Sequence, residues 1–455
     1  MMITTDEKPW RRPFSGYHQP RDLREELALT HTDPGTPCGE LMRRFWQPIA
    51  LASELGERPL ALTILGEKLV LFRDQGGRLG LFHRHCAHRG TSLEWGIPMA
   101  RGLRCCYHGW AYDIDGRCLE TPGEPPHSQL KGSVVQGAYP VREVDKLIFA
   151  YMGPPDEQPE MPVWDTQTQP DSEVDPFSIV FDCNWLQTHE NGIDPIHAVF
   201  LHARPGRDTF GDVFYTLPRL DIVETPYGAC VQTTRRAGDH IWTRMVDLAL
   251  PNVAHIPVPW VDANQEQFYT HAGVLRWCVP IDNTHNLFIE WRYCNERNDP
   301  KKIGDPARCG KNMVDFPGQE RERSYRERQI EPGDYEAQVG QGPIAVHDAE
   351  NLGTTDKGVI TLRRLLRRAV HELADGNLVD RPQPRSADGS IGTQSHDTVV
   401  LAPPGSYDGS DDDHVAAVAE ITRDMAIETA NLAHAKRAEI FEQKVRGVLA
   451  TIGDV

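Results

Sequence analysis

Nowhere in its 455 residues does the chain carry an apolar run approaching the roughly twenty residues of a membrane-spanning helix, which excludes a membrane-embedded reading. The opening stretch, MMITTDEKPWRRPFSGYHQPRD, is polar and broken by proline. It lacks the apolar core of a signal peptide, so the cytoplasm is the expected location. A disulfide framework is missing as well. Ten cysteines, at 38, 86, 105, 106, 118, 183, 230, 278, 294 and 309, are scattered along a chain long enough to bury its own cores, and most read as plain buried thiols. Positive charge is in deficit: 48 Lys and Arg against 66 Asp and Glu leave a net charge of −18, with no concentrated basic patch. Such a chain repels nucleic-acid phosphates, and RRLLRR at 363–368 reads as a solvated or subunit-contacting helix face. Internal repeats are absent.

What is present is an ordinary globular composition, 39% hydrophobic and 25% charged, whose patterning changes along the chain. TPCGELMRRFWQPIALASEL (36–55) predicts a short helix leading into strands, and LALTILGEKLVLFRD and LGLFHRH alternate between Gly-containing turns as antiparallel strands do. The expected organisation is α+β: an N-terminal segment over 1–35, a mainly-β domain over 36–155, and a larger domain over 156–455 with a helical C-terminal extension. A stretch rich in proline and acid, 151–176, marks the junction as a linker. In the second domain a helix over 184–204 precedes strand-like runs such as YGACVQTTRRA, HIWTRMVDLAL, GVLRWCVPID and HNLFIEWRYCNE. Late helices are predicted over 354–376 and 413–452, and the polar 380–412 between them reads as an extended surface segment.

Two groups of residues carry metal chemistry. Cys86-x-His88 and Cys105-x-x-His108 sit on tight loops that Gly90 and Gly109 allow. Two such loops face to face hold either one tetrahedral zinc or a two-iron cluster with cysteine on one iron and histidine on the other. The second group is ENGIDPIHAVFLH, with Glu190, Asp194, His197 and His202. Asp194 and His197 are three apart and share a helix face, but His202 lies five beyond His197, about 140° further round. For both imidazoles to meet one metal the helix must end or distend between them, as π-bulges do at functional sites; otherwise they are unrelated surface histidines.

CAHRG and CCYHGW resemble the ligand loops of Rieske [2Fe-2S] domains. Asp-x-x-His-x4-His, preceded by NWLQ and EN, resembles the iron-binding helix of the oxygenase component of Rieske non-heme iron oxygenases, in the phthalate-dioxygenase-like branch. One departure is Cys106, which stands where the family usually has proline. The resemblance implies a Rieske domain and a helix-grip catalytic domain, with Cys86, His88, Cys105 and His108 holding the [2Fe-2S] cluster. It also implies a mononuclear Fe(II) held by His197, His202 and a downstream carboxylate from GDYEAQVGQGPIAVHDAENLGTTDKGVITLRRLL (333–366). Within that block Asp334 matches, with Glu336, Asp348 and Asp356 as rivals whose plainer reading is surface acid or helix cap. Its AVHDAENLGTTD departs from the family's usual DRxxEHLGxSD. Asp194 would link His197 to His108 of a neighbouring subunit in a homotrimer or stacked-trimer hexamer.

The implied function is that of a terminal oxygenase, using O2 and electrons that come from NAD(P)H through a ferredoxin or flavin reductase. Its substrate would be an aromatic small molecule. The favoured reaction is O-demethylation or monohydroxylation of a carboxylated or methoxylated aromatic such as a lignin-derived biaryl, with ring cis-dihydroxylation as the alternative. A Rieske electron carrier without oxygenase activity and a zinc-stabilised binding protein are the readings of other classes. Arg204, Arg235, Arg236 or Arg244 could meet an anionic substrate, although a surface position is the default for each.

Overall fold

The computed structural model describes residues 8, 11–202, 212–258, 261–299, 302, 304, 306–314, 318–386, 388–406 and 409–453. The helix Pro37–Arg43 begins where the Thr36 hydroxyl accepts the Gly39 amide, with proline in the first turn, where its missing N–H costs nothing. It leads into the fully buried strand Gln47–Leu51, which pairs antiparallel with Leu147–Ala150, itself paired with Val141–Val144. Two four-stranded antiparallel sheets complete the first domain. One runs Leu60–Ile64, Glu67–Arg73, Leu79–His83, Ala138–Tyr139; the other runs Ile97–Pro98, Leu103–Arg104, Ala111–Tyr112, Cys118–Glu120. Val70, Phe72, Phe82, Leu93, Leu103 and Tyr112 pack into one core with Cys86 and Cys105, so the cysteine loops rest on the domain's rigid centre.

The second domain is built on a mainly antiparallel ten-stranded sheet. Its path runs Arg219–Thr225, Gly228–Ala237, His240–Ala249, Val253–Ile256, Val274–Asp282, His285–Cys294, Glu173–Phe181 and Gly310–Lys311. Successive side chains of a strand point to opposite faces. Val231, Thr233 and Arg235 therefore line a cavity on one face. From the other face Gln232 donates to the Ala419 carbonyl and the Thr422 hydroxyl of a C-terminal helix. Among the described residues no helix is long and apolar enough to cross a membrane.

Four expectations are corrected. Residues 390 to 400, read from sequence as surface, are buried, and His396–Leu401 is a strand inserted between His240–Ala249 and Gln267–His271. Polar side chains of this segment find partners inside the fold: Asp397 accepts from Trp242 Nε1 at 2.9 Å and Arg244 Nη1 at 2.8 Å, and Thr393 donates to Asp165, which pairs with Arg437 at 2.7 Å. Composition records polarity but not partners, which is why this segment looked exposed. The helix predicted over 413–452 is two, Asp411–Thr429 and His434–Gly453. The break lets Phe441 and Val445 fold back over Val418 and Ala426. The 151–176 junction is packed rather than free, for Trp164, Asp165 and Thr166 are buried and Glu173 already starts a strand. Arg363, placed on a solvated face, is 4% exposed and pairs with Glu190 and Glu350.

Candidate metal centres

The two cysteine loops have the same internal geometry. Gly90 N donates to the Cys86 carbonyl at 2.8 Å and Gly109 N to the Cys105 carbonyl at 3.1 Å, and both glycines have positive φ, 75° and 73°, which side chains rarely adopt. The loops bring the His88 and His108 rings to 4.6 Å between centroids, and His88 stacks on Trp110 at 4.2 Å and 4°. Cys86 Sγ lies 3.2 Å from the Tyr112 hydroxyl. Burial pushes the Cys105 thiol up, with the adjoining Cys86 adding to it, while the amides of Tyr107 and His108 hydrogen-bond its sulfur and favour the thiolate. His88 Nδ1 is buried with no hydrogen-bond partner among the described residues. A buried lone pair of this kind is satisfied by a metal. Two sulfurs and two imidazoles so placed fit a cluster, whereas Cys106 next door is exposed. The neighbouring histidines have other partners: His83 pairs with Glu67 at 3.1 Å and His85 hydrogen-bonds the Gly90 carbonyl at 2.9 Å.

The second centre forms where a helix is interrupted. Asn184 caps Trp185–Asn191 by accepting the Leu186 amide; the chain then turns at Gly192, and the Asp194 carboxylate accepts the Ile196 amide at 3.1 Å, restarting the helix. Ala198–His202 is π-helical. A π turn closes from i to i+5, which carries His202 back over His197. Their rings lie 5.3 Å apart, edge to face. His197 Nδ1 hydrogen-bonds the Asp194 carbonyl, so Nε2 faces the site.

Asp334 arrives from far downstream. Gln187 fastens that segment: its Nε2 donates to the Gln338 carbonyl at 2.9 Å and the Gly342 carbonyl at 3.1 Å, and its Oε1 accepts the Ala345 amide at 2.9 Å. Asp334 Oδ1 then lies 3.2 Å from His202 Nε2 and 3.8 Å from His197 Nε2. One ligand atom from each of the three residues lies within 4.8 Å of the others. Burial alone would raise the Asp334 carboxyl, but the His202 and His197 imidazoles outweigh it and hold the group at about 2, in the ionised form that a metal would need. The rival carboxylates are occupied elsewhere: Glu336 with Arg323 and the Gly333 amide, Asp348 with the Arg24 amide, and Asp356 with the Gly353 amide.

The triad closes one end of a cavity of about 120 Å³ whose walls include Phe214, Val231, Val246, Ile256 and Val274. That is close to the engineered apolar cavity of about 150 Å³ that takes up benzene. Arg235 and Arg244, given a surface position by default, are 2% and 9% exposed and line this cavity. Arg236, on the opposite register, turns to Asp411, and Arg204 lies outside the described residues. Sequence reading missed Arg276 and Gln187. Arg276 was detectable from alternation with Val274 on the same face of GVLRWCVPID; Gln187 had no signal beyond its place in NWLQ.

Residues 45–140 match the model of the Rieske [2Fe-2S] domain. The chain is 46% identical over 78% of its length to the oxygenase subunit of a tert-butanol monooxygenase / tert-amyl alcohol desaturase of Aquincola tertiaricarbonis, covering 79% of that protein. It is 36% identical to the phenoxybenzoate dioxygenase alpha subunit of Ectopseudomonas oleovorans, covering 76% of this chain and 86% of that one. The chain belongs to the Rieske non-heme iron oxygenases. As a Rieske oxygenase it is an oxidoreductase, the terminal oxygenase component of a system with separate electron-transfer partners. Its fold matches the crystal structure of dicamba monooxygenase bound to 3,6-dichlorosalicylic acid with a TM-score of 0.55 at 19% identity, over 74% of this chain and 100% of that one. A third relative, 33% identical over 76% of this chain and 80% of its own length, is the 5,5'-dehydrodivanillate O-demethylase oxygenase subunit of Sphingobium.

Proposed function

We propose that Cys86, His88, Cys105 and His108 hold the [2Fe-2S] cluster, that His197, His202 and Asp334 hold the catalytic iron, and that the enzyme is a monooxygenase acting on a C–H bond of an aromatic substrate. The observation that carries this reading is a two-histidine, one-carboxylate face opening onto a cavity of about 120 Å³ with an apolar section. Fe(II) with such a ligand set keeps open positions and supplies the binding and activation of dioxygen. The chain's own part is to hold the Asp334 carboxylate ionised, to fix the His197 tautomer through the Asp194 carbonyl, and to exclude water with Val231, Val246, Ile256 and Val274. Overall, O2, two electrons, two protons and a C–H bond become C–OH and water. Where the C–H belongs to a methoxy group, the product hemiacetal breaks to a phenol and formaldehyde. In a biaryl, only the reacting ring would enter the cavity.

In the same reading Asp194 passes electrons between subunits of a homotrimer or stacked-trimer hexamer. Its side chain is 35% exposed, and among the described residues of one chain nothing joins it to His108. A second reading, hydroxylation of a small branched alcohol, draws on the 46% identity with the tert-butanol monooxygenase subunit and on the modest size of the cavity. A single turnover of the reduced enzyme with ¹⁸O2 on methoxybenzoates, phthalate and tert-butanol separates them. Formaldehyde with a new phenol supports demethylation. A labelled diol from tert-butanol supports the alcohol reading, and a ring diol with two labelled oxygens replaces both with dihydroxylation.

A further inference from the structure

Three guanidinium groups line the cavity, and two of them are neutralised. Arg276 pairs with Glu290 at 2.7 Å and Arg244 with Asp397 at 2.8 Å, both carboxylates being fully buried. Arg235 has no carboxylate within ion-pair distance among the described residues. Its Nε donates to the Thr216 carbonyl at 3.0 Å and its Nη1 to the Thr233 hydroxyl at 3.1 Å, while Phe214 and Trp242 flank it with centroids at 5.4 Å. Asp397 acts on Arg235 from a distance but is already committed to Arg244 and to the Trp242 indole, so two cations share one anion. Burial, with the charge of Arg244 adding to it, lowers Arg235 to about 10, which leaves it a cation at neutral pH. The other carboxylates of the lining, Asp194 and Asp334, stand at the metal end.

A buried cation without its own counter-ion is costly, and a fold that keeps one beside a reaction cavity gains when a ligand supplies the anion. We propose that Arg235 anchors the carboxylate of an aromatic acid whose ring spans the apolar section towards His197 and His202, making the substrate an anion. The inference rests on the cavity being the substrate site of the oxygenase proposed above. Among the described residues Arg235 Nη2 makes no hydrogen bond, so with the remaining Nη1 hydrogen it can grip both oxygens of a carboxylate. Thr233 and the Thr216 carbonyl hold the guanidinium in place for it.

Binding to the holoenzyme under argon, measured by calorimetry with 3-methoxybenzoate and its neutral analogue 3-methoxybenzamide, tests this without turnover. The acid should bind about 30-fold more tightly than the amide. Arg235→Gln should erase that difference, mainly by weakening the acid, whereas Arg236→Gln, on the opposite register, should alter neither ligand. Equal affinity for acid and amide in the wild-type enzyme, which needs no variant to fold, would overturn the anchor. If the acid preference holds but neither ligand is converted to formaldehyde and a phenol or to an ¹⁸O-hydroxylated ring, the anchor stands and the oxygenase reading of the cavity falls. If both ligands are converted and bind equally, the reverse is true.

Discussion

The two metal centres are built by opposite means. The four residues of the Rieske loops fall within residues 86 to 108, and two glycine turns of the same shape set their positions. The triad of the second centre combines a distorted helix with Asp334, and it depends on Gln187 to hold the distant segment in place. His88 and His108, proposed for the cluster, are partly exposed, which suits a centre that exchanges electrons with partners. Asp334 and His202 are buried, as a centre that handles dioxygen beside an apolar substrate requires. A site drawn from one stretch of chain can be specified by a short motif, whereas one drawn from two distant segments has to be assembled from across the fold.

The largest expected effect comes from breaking the buried centre alone. Asp334→Ala should lose the mononuclear iron and lower turnover by roughly 10³-fold or more, while the visible spectrum of the Rieske cluster is unchanged. Metal analysis together with absorption spectroscopy reads both at once. A bleached cluster would mean that the two centres are not structurally independent. Next in size is the connection between them. Asp194→Asn should keep both metals yet lower turnover by roughly 100-fold, and stopped-flow spectra should show the cluster staying reduced in the presence of substrate and dioxygen. Full activity would remove Asp194 from the electron route.

A smaller effect tests the non-local assembly itself. Gln187→Ala removes three hydrogen bonds that touch no metal, so it should weaken iron binding by about 10- to 100-fold through misplacement of Asp334. Adding excess Fe(II) should restore part of the activity, since the ligands remain. If iron affinity is unchanged, the segment that carries Asp334 is held by its other contacts, such as the Tyr335 hydroxyl on Asp182.

The same contrast explains what could be read from the sequence. The Rieske loops were visible because their spacing is the structure. The π distortion was foreseeable because histidines five positions apart cannot share a regular helix face. Asp334 was recognisable only by resemblance to a family block, and Arg235 only as one arginine among several. Residues 390–400 were misread because polar side chains there have distant partners, Trp242 and Arg244 for Asp397 and Asp165 for Thr393, all more than 150 positions away. Burial of polar groups is decided by tertiary pairing, and no local pattern records it.

Cys106 gives the smallest predicted effect and the sharpest check on the local site. Two adjacent cysteines make the loop ambiguous in sequence, but the structure separates them. Cys105 is 3% exposed, its amide donates to the Trp110 carbonyl at 2.8 Å, and its sulfur receives the Tyr107 and His108 amides. Cys106 is exposed, and among the described residues its amide has no acceptor. Cys105→Ser should therefore abolish the cluster, while Cys106→Ser should leave its spectrum, content and turnover as they are. Cys106→Pro should be tolerated as well, because proline removes only an N–H that is not in use. A cluster retained in Cys105→Ser and lost in the double variant would mean that Cys106 can substitute as a ligand, and the loop would then be less rigidly determined than its glycine turn implies.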